Sequence, residues 1–324
     1  MQLSPVSSDG LLDLQAFEAL LTPDTALVSI PFANGEIGAV QPIDKVVAAV
    51  RRVCPSAFIH CDASQALGKV PVHPMDLDID LLTIAGHKVY APKGIGALYI
   101  RKGLQLSPLI LGGGQERGLR GGTENVAFAM ALGTACKLIK QSWEAAKWPL
   151  SPEAISAAAA AAAASTSVAA TNGKCVQDDP PHPSKLAFVA KVFVDRLWAS
   201  LEAKTSVQRQ KLGSALRLNG PLGAADPSVQ QQWLPGTIHL SVRGAYGFDI
   251  AKGLAEEERV FVSAGVSCHQ GKTVSGTLLA MGHSSDWALG SLRISVGRDT
   301  SVSDAVKAAE KMATYLINHK LLHL

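Results

Sequence analysis

Two short stretches decide the fold, His60-Cys61-Asp62-Ala63-Ser64-Gln65 and Thr83-Ile84-Ala85-Gly86-His87-Lys88. Each closes an apolar run, Ala57–Cys61 and Asp80–Ala85, too short for a helix, which predicts a buried strand. Continuous rather than alternating apolar strands point to a sheet packed on both faces. Each run also ends on a charged group. In open α/β sheets, ligands bind at the C-terminal ends of the strands.

Further runs extend this pattern in both directions. Ala26–Pro31 and Gly96–Arg101 read as strands, and Leu11–Leu21 and Val46–Val53 carry apolar residues at helical spacing. Strands alternating with helices predict an α/β large domain over residues 1–144, with a mainly parallel sheet and helices on both faces. Helical spacing resumes from Asn125 to Glu144. Residues 145–184 break the pattern, with eight consecutive alanines at Ala157–Ala164 and a proline-rich end, and read as a low-complexity insert. Over 185–324, a helix at 185–204, strands at Thr237–Val242, Arg259–Ser263 and Leu292–Val296, and a helix at Asp304–Leu316 predict a smaller α+β C-terminal domain.

Composition narrows the function classes. The chain has 324 residues, 47% of them hydrophobic and 18% charged, which excludes whole-chain disorder. A net charge of +3 argues against a broad nucleic-acid surface. No apolar run reaches the ~20 residues of a membrane span, and the N-terminus has no secretory pattern. Five scattered cysteines form neither a disulfide framework nor a C-x-x-C metal site, so the reading is a soluble intracellular protein of undetermined compartment.

Four segments carry chemistry. Asp62 at a strand end could pair with a cationic ring nitrogen, as in pyridoxal phosphate enzymes, or cap a helix N-terminus. Lys88 could be desolvated for Schiff-base chemistry, or be a surface lysine that ends its strand. Together, one crossover apart, they could hold the two ends of one cofactor. The glycine-rich Gly112–Asn125 offers backbone N–H groups, Arg117, Arg120 and Thr123 to a phosphate, or is a flexible loop. Cys268 lies in a polar loop with His269 and Lys272 nearby, a setting that favours thiolate.

In this order, Ile59–Lys69, Thr83–Arg101, Gly112–Val126 and Ser263–Arg298 resemble the NifS-like cysteine desulfurases and their selenocysteine lyase branch. These are class V, fold-type I enzymes dependent on pyridoxal 5′-phosphate. The resemblance implies that Lys88 bonds the cofactor aldehyde, Asp62 meets the pyridine nitrogen and Gln65 the phenolic oxygen. It implies that His87 binds the phosphate and that Thr123 reaches the phosphate of a partner subunit, hence a homodimer. It makes Cys268 the nucleophile that takes sulfur as a persulfide, and Arg293 the group that binds the substrate carboxylate. L-Cysteine would yield L-alanine, with sulfur passed to an acceptor protein. L-Selenocysteine is the alternative substrate, and a truncated, non-catalytic homologue or partner subunit the alternative role. The family's Asn-Asn-Glu-x-Gly reads Asn34-Gly35-Glu36-Ile37-Gly38, so Asn34 is the remaining side chain for substrate binding there. Ala85 stands where a serine is common. Family members extend over a hundred residues upstream of the position matched by Met1, with a phosphate loop and an aromatic that stacks on the ring, which implies an incomplete sheet here.

Overall fold

The computed structural model describes residues 1–145, 183–265 and 274–323. The first half is built on a four-stranded sheet in the order β1 (Leu27–Pro31), β2 (Phe58–Asp62), β3 (Leu81–Ala85) and β4 (Gly96–Ile100). β1, β2 and β3 run parallel, with Pro31 beside Asp62 and Asp62 beside Thr83. β4 turns back antiparallel on β3 across the short connection through Gly86–Lys88. So short a link cannot make the crossover that a parallel partner requires.

Helix α1 (Leu14–Leu20) starts at Asp13, whose carboxylate accepts the Ala16 N–H. Helix α2 (Ile43–Val53) turns Val46, Val47 and Val50 inward at helical spacing. Both helices cover one face of the sheet, so Phe17 and the α2 valines share a core with Val28, Ile30, Ile59, Cys61 and Leu82. The opposite face is open among the described residues, where Leu27 is 55% exposed and Phe58 47%. Apolar cover on both faces is therefore seen on one face only. α3 (Val126–Ala145) packs Leu132 and Ala135 against Val89 and Ala91, beyond β3.

The second half holds α4 (Pro183–Thr205), β5 (Leu216–Leu218), β6 (Thr237–Val242), α5 (Gly247–Glu257), β7 (Ser263–Ala264), β8 (Ser291–Ser295) and α6 (Val302–Asn318). The strands form an antiparallel sheet in the order β5-β6-β8-β7. α4 and α6 bury its apolar face, with Leu197, Leu201, Ile238, Leu240, Leu292, Ala309 and Leu316 in one core. α6 is started by a reciprocal cap between Ser301 and Asp304. The strand expected at Arg259–Ser263 shrinks to Ser263–Ala264, because Arg259 takes a left-handed φ of 57° and Val260 N–H closes back on the α5 carbonyl of Leu254. The insert expected at 145–184 lies, apart from its ends, outside the described residues.

The two sheets meet at the loop after β1. Leu234 N–H donates to Gly38 O and Val40 N–H to Gln232 O, each at 2.7 Å. Ile37 and Ala39 pack with Leu278, Met281 and Ala288. The loop Asn34–Gly38 is thereby pressed against β6 and β8.

Candidate active site

The strand ends place the site. Asp62 is the last residue of β2, and Lys88 follows the end of the neighbouring β3 by one short turn. Parallel pairing sends both strands out of the same edge of the sheet, so Asp62 and Lys88 lie at one edge. Asp62 is exposed, its Oδ1 accepts the Ser64 N–H at 2.9 Å, and it forms no ion pair among the described residues. Behind it, Ser29 Oγ, the His60 ring and Thr83 Oγ1 form a polar row across β1, β2 and β3, at 2.8 and 2.9 Å.

Gln65 lies one turn past Asp62, over Gly35. A Cβ at Gly35 would come within 2.7 Å of Gln65 Nε2 and 2.9 Å of its Cδ. The Gly35 carbonyl accepts Arg293 Nη1 at 3.1 Å, which brings β8 of the second sheet into the same cleft. Arg293 Nε is buried with no hydrogen-bond partner in the structure. Asn34 is committed to its own loop, since its Oδ1 accepts the Glu36 and Ile37 N–H groups at 2.8 and 3.0 Å. His87 is exposed beside Lys88, and Thr123 is exposed on the loop before α3. Cys268 lies outside the described residues.

Three residues given no role in the sequence reading join the site. Lys69 Nζ donates to Gln65 Oε1 at 3.3 Å, and Lys69 and Lys88 line one small cavity of about 30 Å³ with Leu67, Val89, Ile139, Leu186 and Val296. Burial first, then the charges of Lys88 and Arg293, push the Lys69 amine down to about 8. Glu36 accepts a hydrogen bond from Ser275 Oγ. His239, 1% exposed on β6 opposite Arg293, takes the Asn219 amide on Nδ1 at 2.9 Å and turns Nε2 toward Glu36 at 3.8 Å. Burial, reinforced by Arg293 and His283, pushes His239 down to about 3 and keeps it neutral. Lys69 could have been noticed by its four-residue spacing from Gln65, but nothing in the sequence says that it is enclosed.

These residues fit pyridoxal 5′-phosphate and an amino-acid substrate. The cluster of Lys69, Lys88 and Arg293 has no carboxylate partner among the described residues, and the orphaned Arg293 Nε calls for an anionic acceptor. An unpaired carboxylate, Asp62, faces the same edge, as a group with an anionic and a cationic end requires.

The mixed sheet thus carries a lysine and an aspartate at adjacent strand ends, neither of them in an ion pair among the described residues. The chain belongs to the class V aminotransferase family, whose model, described as "Aminotransferase class-V", matches residues 1–190. Among curated proteins, it is 33% identical to "Cysteine desulfurase, mitochondrial" of Arthroderma benhamiae over 318 residues, 96% of this chain and 51% of that one. It is 53% identical to "Cysteine desulfurase 2" of Trichormus variabilis over 133 residues, 41% of this chain and 33% of that one. Among solved structures, a "NifS-like protein" matches with a TM-score of 0.72 and 27% identity, over 98% of this chain and 68% of the other. The chain thus spans about half the length of the first of these curated relatives.

Proposed function

We propose that the protein is a pyridoxal 5′-phosphate-dependent cysteine desulfurase, converting L-cysteine to L-alanine and passing the sulfur on as an enzyme persulfide. One observation carries this reading. Asp62 with Gln65, Lys88 and Arg293 come from three separate segments, yet they gather in one cleft with uncompensated charge. The cysteine desulfurases among its relatives support the choice of substrate.

Bound in the cleft, the cofactor supplies an electron sink that loosens the substrate's bond from Cα to hydrogen and from Cβ to sulfur. The chain's residues supply the rest. Asp62 holds a proton on the ring nitrogen by its charge. The Arg293 guanidinium, already turned into the cleft by the Gly35 carbonyl, takes the substrate carboxylate. The Lys88 amine moves the proton at Cα. Cys268, from the resemblance, would attack the substrate sulfur as thiolate, so that the S–S bond of the persulfide forms as the Cβ–S bond breaks, the electron pair stays on carbon and takes a proton to give the alanine methyl, and the outer sulfur then passes to an acceptor protein. His87 and Thr123 are the phosphate ligands in this scheme, with Thr123 serving a second copy in a homodimer. The exposed Leu109, Leu111, Val126 and Met130 around that loop support such a face.

The test is the visible spectrum of the chain with pyridoxal 5′-phosphate, together with sulfide and alanine release from L-cysteine. A visible band that disappears in Lys88→Ala, and sulfur transfer that disappears in Cys268→Ala, are expected. No band in the unaltered, folded chain would sink the reading and leave the non-catalytic partner subunit. Faster turnover of L-selenocysteine than of L-cysteine would shift the assignment to a selenocysteine lyase.

A further inference from the structure

Lys69 is out of place on stability grounds. Its amine is half-buried in a cavity of about 30 Å³ with mostly apolar walls, beside Lys88 and within the field of Arg293. Among the described residues it makes no ion pair, and its one hydrogen bond goes to Gln65 Oε1 at 3.3 Å. Like charges without a counter-charge oppose folding, so the position calls for a different reason.

The geometry of Gln65 supplies that reason. An ammonium group has donors only, so the Gln65 atom facing Lys69 is the carbonyl oxygen. That contact leaves the NH₂ group pointing the other way, flat above Gly35, where even a methyl group would come within 2.7 Å of Nε2. Nε2 therefore lies over Gly35, the residue whose carbonyl holds Arg293 at the cleft. A free glutamine amide would rotate between two orientations, one showing a donor to the cleft and the other an acceptor.

We infer that Lys69 is a positioning residue of the active site: by holding Gln65 Oε1 it locks the amide with Nε2 toward the cleft, as the donor to the phenolic oxygen of the cofactor. Gly35 completes the device by leaving the amide room to lie flat. The inference rests on the function proposed above, and its consequences differ from those of that function.

A double-variant cycle on Gln65→Leu and Lys69→Met tests it, with Lys69→Arg as the conservative variant. The readouts are the dissociation constant for pyridoxal 5′-phosphate and the pH midpoint of its visible band. Each single change is expected to weaken binding about tenfold and to move the midpoint in the same direction. The double variant is expected to be no worse than the poorer single one, and Lys69→Arg to restore the midpoint. Gly35→Ala, which pushes the amide off Lys69, is expected to move the midpoint as Lys69→Met does. Effects that multiply to about a hundredfold in the double variant, or an unmoved midpoint in Lys69→Met, would overturn the inference. The same cycle on urea midpoints of the cofactor-free chain separates this failure from that of the proposed function. Coupled midpoints support the Lys69–Gln65 contact whether or not the cofactor binds, and additive ones overturn it.

Discussion

Lys69 sets a pH signature that belongs to one residue. Its folded-state value is pushed down to about 8, below that of an unfolded lysine, by burial and by the charges of Lys88 and Arg293. Below pH 8 both states carry the proton and the penalty for the enclosed charge is present in full. Between about 8 and the unfolded value of about 10.4, the unfolded chain holds a proton that the folded chain has lost, so stability rises with pH. Urea midpoints of the cofactor-free protein should show this rise relative to Lys69→Met, and parallel curves for the two would refute it. His239 is the contrasting case. Enclosed beside Arg293 and pushed down to about 3, it stays neutral in the folded state, so its effect falls on the acid side: as pH drops from about 6.5 toward 3 the unfolded imidazole takes a proton that the folded one refuses, and stability declines. Asp62 and Lys88 were legible in the sequence because each ends an apolar run, and a strand end is a place that sequence can mark. Lys69 was not legible, because its enclosure comes from Ile139 on α3, Leu186 on α4 and Val296 after β8, all distant in sequence.

At the scale of elements, the strongest polar tie in the first half is Asp80, just before β3. It is 6% exposed, its Oδ2 lies 2.8 Å from Arg51 on α2, its Oδ1 lies 2.9 Å from Arg101 after β4, and it accepts the Ile59 N–H of β2 at 2.8 Å. One carboxylate thus pins a helix and three strands. Asp80→Ala leaves two arginines and a strand N–H without that partner and should cost about 3 kcal/mol, read from the denaturant midpoint. In the second half, Ser301→Ala removes one side of the α6 cap and should cost about 1 kcal/mol by the same measurement. Most elements appeared in the sequence within a few residues of their ends, since apolar spacing is a local property. β5 and α5 were not read from the sequence, and Arg259–Ser263 was misplaced because a left-handed turn at Arg259 is set by α5 packing back on its own C-terminus and not by apolarity.

On the scale of the whole molecule, the described residues cover the first sheet on one side. Leu27 and Phe58 sit side by side in register on the open face, both about half exposed. An apolar patch of this kind binds hydrophobic dyes and promotes association. Replacing both residues with threonine, which keeps strand propensity, should lower dye fluorescence with little change in the unfolding midpoint. Unchanged dye binding would place the patch elsewhere. The second sheet is closed by contrast, with α4 and α6 on its apolar face and the Asn34–Gly38 loop near His239 and Arg293 on its polar one.

The sequence by itself determined the α/β alternation, the strand ends that carry Asp62 and Lys88, and through their ordered motifs the family. These are local features, encoded in runs of apolar residues and in residues a fixed step beyond them. The tertiary structure alone decided which face of the first sheet is buried, that Arg293 crosses from β8 to the Gly35 carbonyl, and that Lys69 is enclosed with Gln65 in its grip. The physical reason is that burial and like-charge proximity depend on segments far apart in the chain. Only packing brings them together, and only then does a charge or an amide acquire the surroundings that set its role.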